Sequence, residues 1–210
     1  MDYNDYTTLS FQREGAVLTV SLDRPDVLNA ANAVMEIELG RFFVDVVDDE
    51  QTRVVVLTGA GKTFSAGGDF DYMRALLENP ELLRKAMPHA KRLIFSLLDC
   101  PKPVIAKING HAIGFGATLA LFCDVTFAAD HARIADPHVA IGLVAGDGGA
   151  IIWPQLIGYN RAKEYLFTGE PLLAPTLMAY GTPALRTRFM PGILSGETYW
   201  AQGYSEPGAG

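Results

Sequence analysis

Cysteine is nearly missing from this chain: Cys100 and Cys123 are the only two in 210 residues. Both sit in apolar surroundings, which argues against a disulfide-stapled secreted scaffold and for free buried thiols in a reducing compartment. Clustered positive charge is missing as well. Lys and Arg number 17 against 24 Asp and Glu, a formal net charge of −7, and no basic patch offsets it, so nucleic acid is a poor partner. No apolar run approaches the roughly 18 residues of a membrane span. The opening residues, MDYNDYTTLS, are acidic and polar, unlike a secretory leader. There is no fixed-period repeat and no low-complexity tract. A cytoplasmic protein with no membrane partner is expected.

What the chain has is apolar surface: 49% of its residues are hydrophobic, enough to fill the core of one domain. Elements can be read along it. AVLTVSL, after Glu14-Gly15, alternates like a strand following a tight turn. DRPDVLNA (23–30) carries a proline turn and opens a helix. AVMEIELGRFFVDVVDD (33–49) has helical spacing. RVVVLTG (53–59) reads as a buried parallel strand. FDYMRALL and KRLIFSLLDC (91–100) read as helices, KPVIAKING (102–110) as a strand and ATLALFCD (117–124) as a helix. VTFAAD and ARIAD are short strand candidates, and NRAKEYLFTG (160–169) is a helix stopped by Gly169. Strands alternating with helices predict an α/β fold.

Two glycine-bearing turns carry the chemistry. FSAGGDF (64–70) and GHAIGFGA (110–117) each follow a strand and precede a helix. Glycine there lets the backbone come close to a ligand, and the amides at a helix start are free to donate. Two such loops facing each other would aim two N–H groups at one oxygen, an oxyanion hole suited to thioester chemistry. The plainer alternative is that Gly67, Gly68, Gly114 and Gly116 serve only tight turns and close packing. A phosphate loop is disfavoured because no Gly-Lys-Ser/Thr follows either turn. A dinucleotide fingerprint fails on glycine spacing.

RPDVLNA, VVVLTGAGKTFSAGGDF, CPKPVIAKINGHAIGFGATLALFCDVTFAAD and GLVAGDGGAIIWPQLIGYNRAKEYLFTG together resemble the enoyl-CoA hydratase/isomerase (crotonase) family, in that family's order, over about residues 8–170. The resemblance implies a crotonase-like spiral of β-β-α turns that binds acyl-CoA thioesters and stabilises a thioester enolate. It implies that the amides of Gly68 and Phe115 form the oxyanion hole. Ala66, Gly67, Asp69, Gly114 and Thr118 would line the acyl-CoA site, Thr118 facing it without titrating. Coenzyme A would be part of the substrate, with no further cofactor, and a homotrimer or hexamer would be the assembly.

The two glutamates that handle protons in the family's hydratases are not at the matching positions. Thr118 and His138 stand there instead. A threonine cannot act as a base near neutral pH, whereas a histidine with an ordinary pKa of about 6.5 can. Asp147, in AGDGG, is a third candidate: burial in a glycine-rich loop would raise its pKa and suit it to acid or base work. The structural alternatives stand beside these roles. Asp147 could cap the helix starting near Ala150, and His138 could be a hydrogen-bonded structural residue. His89, His111 and His131 take no role, and no spacing suggests a metal site. The function expected is hydratase/isomerase-like chemistry on an enoyl-CoA thioester, the alternative a non-catalytic acyl-CoA binder or an inactive truncated or fused product.

Residues 171–210 change character. LMAYGTPALRTRFMPGILSGE and WAQGYSEPGAG resemble a fragment of an acyl-CoA dehydrogenase, in which Gln202 and Ser205 would neighbour flavin. So short a piece cannot build a flavin site, so flavin is not expected. The domain reading is a crotonase-like core over 1–170, truncated at its C-terminal helical segment, and a 171–210 fragment that is not an independent domain.

Overall fold

The computed structural model describes residues 3–171. The chain opens with a hairpin: β1 (Leu9–Glu14) and β2 (Val17–Leu22) are antiparallel, with Glu14 opposite Val17 across a two-residue turn at Gly15. Gly15 has φ +57, a conformation that costs glycine nothing. β3 (Val54–Gly59), β4 (Val104–Ile108) and β6 (Val125–Ala128) add in parallel, giving one sheet ordered β1-β2-β3-β4-β6. Between them come α1 (Ala33–Asp45), α2 (Phe70–Glu78), α3 (Pro80–Leu98), the short β5 (Ala112–Ile113) and α4 (Phe115–Leu121). β7 (Ile134–Ala135), α5 (Gly149–Ile157) and α6 (Tyr159–Thr168) follow.

From β2 onward each strand of the sheet is followed by a short extended piece that pairs outside that sheet. β5 pairs with β7, and single bridges join Ala31 to Gly68 and Ser65 to Ala112. The repeating unit is therefore strand, short strand, helix, as the family resemblance implies.

The core lies between the sheet and the helices. Val20, Leu57, Val104 and Ala106 point from alternate sheet positions at Met35, Leu39, Phe42 and Phe43 of α1 and at Leu93 of α3, all essentially inaccessible. Burying each phenylalanine is worth about 2 kcal/mol. α1 and α3 meet at Gly40, where a Cβ would already touch the backbone of Leu93 at 3.4 Å. β2 alternates as its sequence predicts, whereas β3 differs from the fully buried strand read for RVVVLTG. β2, β3 and β4 alternate buried with half-exposed positions, and β6 is exposed throughout, because these helices cover one face only.

Other elements fall close to their predicted places. DRPDVLNA forms only a single 3-10 turn, Pro25–Val27. α3 begins at Pro80 rather than near 91 and runs through Pro88, giving up one backbone hydrogen bond. β1 was not legible in the sequence. The 171–210 segment expected to be an acyl-CoA dehydrogenase fragment, with Gln202 and Ser205, lies outside the described residues apart from its first position. Among the described residues no helix is long and apolar enough to cross a membrane.

Candidate active site

The first glycine loop is held from behind by the RPDVLNA segment. Asn29 is fully buried, and its side-chain amide donates to the carbonyls of Ala60 and Thr63 at 2.8 Å each. Ser65 Oγ donates to the carbonyl of Asn29 and accepts from the amide of Gly67. Ala31 donates to the carbonyl of Gly67 and accepts from Asp69. That pairing skips Gly68, whose own N–H is left free. Gly67 has φ +99, and a Cβ there would stand 2.8 Å from the carbonyl oxygen of Ile113, so this position accepts glycine only.

The second loop delivers Phe115 as the first residue of α4, where an N–H has no intrahelical partner. Gly114, with φ +52, is bonded to the carbonyl of Ala135 of β7. Among the described residues neither the Gly68 nor the Phe115 amide has a hydrogen-bond partner. Both line one cavity of about 340 Å³, together with His138, Asp147, Met73 and Ile94. A smaller cavity of about 140 Å³ shares Gly68 and His138 with it and is lined by Ala66, Gly67 and Gly114. The glycines divide in role. Gly116 faces away from the cavities, and a Cβ there would lie 2.6 Å from that of Ser65, so it serves helix packing.

His138 opens a 3-10 turn, His138–Ile141, directly after β7. Its Nδ1 is hydrogen-bonded to Oδ1 of Asp136, a carboxylate with no exposure. An Nδ1–H donating to Asp136 leaves Nε2 bare as an acceptor. Nε2 lies 3.6 Å from Oδ2 of Asp147. The other oxygen of Asp147 accepts from Thr118 Oγ1 at 3.0 Å and from the Gly149 amide at 3.1 Å. Asp147 Oδ2 is buried and has no hydrogen-bond partner among the described residues. Burial raises the Asp147 carboxyl above its ordinary value, opposed by the His138 charge and the Gly149 amide. The Asp136 hydrogen bond raises His138, opposed by desolvation and assisted by the Asp147 charge.

Several expectations are sharpened by this placement. Asp147 touches the first residue of α5 and also faces the cavity, because its two oxygens serve different partners. Thr118, expected to face the pocket, is instead fully buried behind Asp147 and does not line the cavity, because its hydroxyl is turned to the Asp147 carboxylate. Asp69 is directed elsewhere: it caps α2 through the amides of Asp71 and Tyr72 and pairs with Arg24 at 3.0 Å. Asp136 was missed, although it lies two residues before His138 in the same short segment. Glu36, which also lines the cavity, was missed because α1 reads as an ordinary amphipathic helix. Asp136, His138 and Asp147 place potential ligand atoms within 4.8 Å of one another, a cluster the sequence spacing did not announce. The Asp136–His138 hydrogen bond already occupies one donor and one acceptor of that cluster.

Spiral fold, paired glycine loops and a half-buried His138–Asp147 pair on a cavity define the class, and the comparison with known proteins agrees. This chain belongs to the enoyl-CoA hydratase/isomerase family, whose model matches residues 12–184, running past the boundary near 170 that the sequence suggested. A carnitinyl-CoA dehydratase of Citrobacter koseri is 36% identical over 83% of this chain and 66% of its own length. A short-chain-enoyl-CoA hydratase of Clostridium acetobutylicum is 34% identical over 81% of this chain and 65% of its own. The chain thus spans just under two thirds of these relatives. A crystal structure of an enoyl-CoA hydratase/isomerase from Mycobacterium paratuberculosis superimposes with a TM-score of 0.79 at 38% identity, covering 85% of this chain and 72% of that one.

Proposed function

We propose that this chain is an acyl-CoA enzyme of the hydratase/isomerase type that acts on an enoyl-CoA thioester through an enolate. One observation carries the reading: two amides without partners among the described residues border the same cavity as His138 and Asp147, with Asp136 hydrogen-bonded to His138 from behind. The thioester oxygen accepts from the amides of Gly68 and Phe115. Donors placed for the charge that develops in the transition state contribute about 3 kcal/mol each.

In the hydration direction, His138 Nε2 takes a proton from water as its oxygen bonds to the β-carbon. The π electrons move to the thioester oxygen. The α-carbon then takes a proton from the His138–Asp147 pair, restoring the thioester. Asp136 fixes the ring tautomer and stabilises the imidazolium. Asp147 is kept protonatable by burial, and Thr118 orients it. His138 and Asp147 so take over the proton handling of the two glutamates implied by the family pattern, whose positions are held by Thr118 and His138. Coenzyme A enters as part of the substrate, with no flavin or metal invoked. A homotrimeric or hexameric assembly and a cytoplasmic location belong to the same proposal.

The test is mass spectrometry of products formed from a panel of enoyl-CoA thioesters by the full chain. Hydrated or isomerised products that disappear in His138→Ala support the reading. Tight acyl-CoA binding with no turnover of any thioester would make the chain a binder and overturn it.

A further inference from the structure

Glu36 is a cavity group that the proton-transfer chemistry leaves unused. It stands on the first turn of α1, just after Ala31, whose backbone is bonded on both sides of Gly68. Tyr72 stands on the first turn of α2, just after Gly68. The two side chains thus reach the 340 Å³ cavity from the two elements that flank the same oxyanion-loop glycine. The Tyr72 hydroxyl lies 3.5 Å from Oε2 of Glu36. Met73, Leu76 and Ile94 make the neighbouring wall apolar. Among the described residues Glu36 has no ion pair. Lys91 also lines the cavity, but its ammonium is held 5.4 Å from the centroid of the Phe95 ring.

Arg41, His89 and Arg92 line a second groove on the other side of Glu36, but none pairs with it, and a half-buried carboxyl beside an apolar wall and in no ion pair costs stability that leucine or methionine would not. Such a local conflict is characteristic of a ligand site. The chemistry narrows the ligand. An anionic group would meet the Glu36 carboxyl. A cationic group would share the cavity with Lys91. A hydroxyl both donates and accepts, so it can give its proton to Glu36 and accept from Tyr72.

We infer that Glu36 and Tyr72 form a specificity site for a hydroxyl group carried on the acyl chain of the CoA thioester, away from the thioester carbonyl. The inference rests on the acyl-CoA reading above. Binding energy for that hydroxyl is realised at a position where an unsubstituted chain lays apolar surface against the carboxyl and the Tyr72 hydroxyl, so the site discriminates by what it desolvates as well as by what it bonds.

Binding rather than turnover tests it. Saturated acyl-CoA thioesters, which lack the reacting double bond, are titrated calorimetrically into the full chain. Each is paired with its chain-terminal hydroxyl analogue over several chain lengths, and the readout is the ratio of the two affinities. The wild type is expected to favour the hydroxylated member at one chain length by roughly tenfold or more. Glu36→Leu should bring that ratio to unity or invert it, and Tyr72→Phe should reduce it. Glu36→Gln, which keeps shape and hydrogen bonding, should retain most of it, with circular dichroism confirming that each variant is folded. A wild-type ratio near unity at every length, or one unchanged in Glu36→Leu, overturns the inference and leaves the acyl-CoA reading intact. Failure of every thioester to bind overturns both.

Discussion

A Cβ on Gly149 would stand 2.3 Å from Oδ2 of Asp136. The first residue of α5 is glycine because the carboxylate that orients His138 occupies the space a side chain would need. Its φ is not in the left-handed region, so the constraint is steric rather than conformational. Gly149→Ala should therefore displace a fully buried carboxylate and destabilise the fold by about 1–3 kcal/mol. The lost hydrogen bond to Nδ1 should lower turnover in parallel. Urea unfolding and steady-state kinetics measure the two, and wild-type values for both would show that Asp136 does not depend on this gap.

The oxyanion assignment separates two substitutions at one residue. Gly68→Pro deletes the free N–H and should lower turnover by roughly 10²–10³. Gly68→Ala keeps the donor, and its Cβ would meet only the flexible Met73 side chain, 3.1 Å away at Sδ, so its loss should be far smaller. Equal effects of the two variants would mean that bulk rather than the donor matters.

The His138–Asp147 pair makes a joint prediction. His138→Ala and Asp147→Asn should each reduce the rate by roughly 10²–10⁴, and the double variant should lose little more than either alone, because the pair handles one proton between them. Asp136→Asn should also slow the reaction, by allowing the other ring tautomer. It touches no substrate atom, so KM should move less than kcat. Full activity in both single variants would place the proton transfer on another group.

Glu36 predicts a pH dependence of stability. Burial raises its carboxyl from 4.5 to about 7, partly opposed by Tyr72. A raised folded-state pKa means that the native state keeps a proton that the unfolded chain has released. Stability is then lost as pH rises from about 4.5 through 7. The groups facing Glu36 are Tyr72 and Lys91 in the cavity, and Arg41, His89 and Arg92 in the groove between α1 and α3. Glu36→Gln removes the effect. It should match the wild type near pH 5 and exceed it near pH 8 by a few kcal/mol at most. A difference between the two proteins that is the same at both pH values would show that Glu36 titrates normally.

The sequence by itself determined the alternation of strands and helices, because period-two and period-3.6 patterns report which face each element buries. It also placed the two glycine turns, since Gly67 tolerates no side chain beside the carbonyl of Ile113 and Phe115 had to begin a helix. His138 and Asp147 were legible as candidates because each departs from a pattern otherwise followed closely. Only the tertiary structure decided how these residues act together. It showed that Gly116 serves packing against Ser65, that Asp69 is spent on a helix cap and an arginine, and that Thr118 supports Asp147 from behind. Asp136 and Glu36 became visible only once folded, for a physical reason. Hydrogen bonding and desolvation set their chemistry, and both depend on neighbours contributed by other elements: Gly149 and α5 beside Asp136, Tyr72 and α3 around Glu36. Local sequence encodes which way a side chain points along its own element, but what it meets there is decided by the packing of the others.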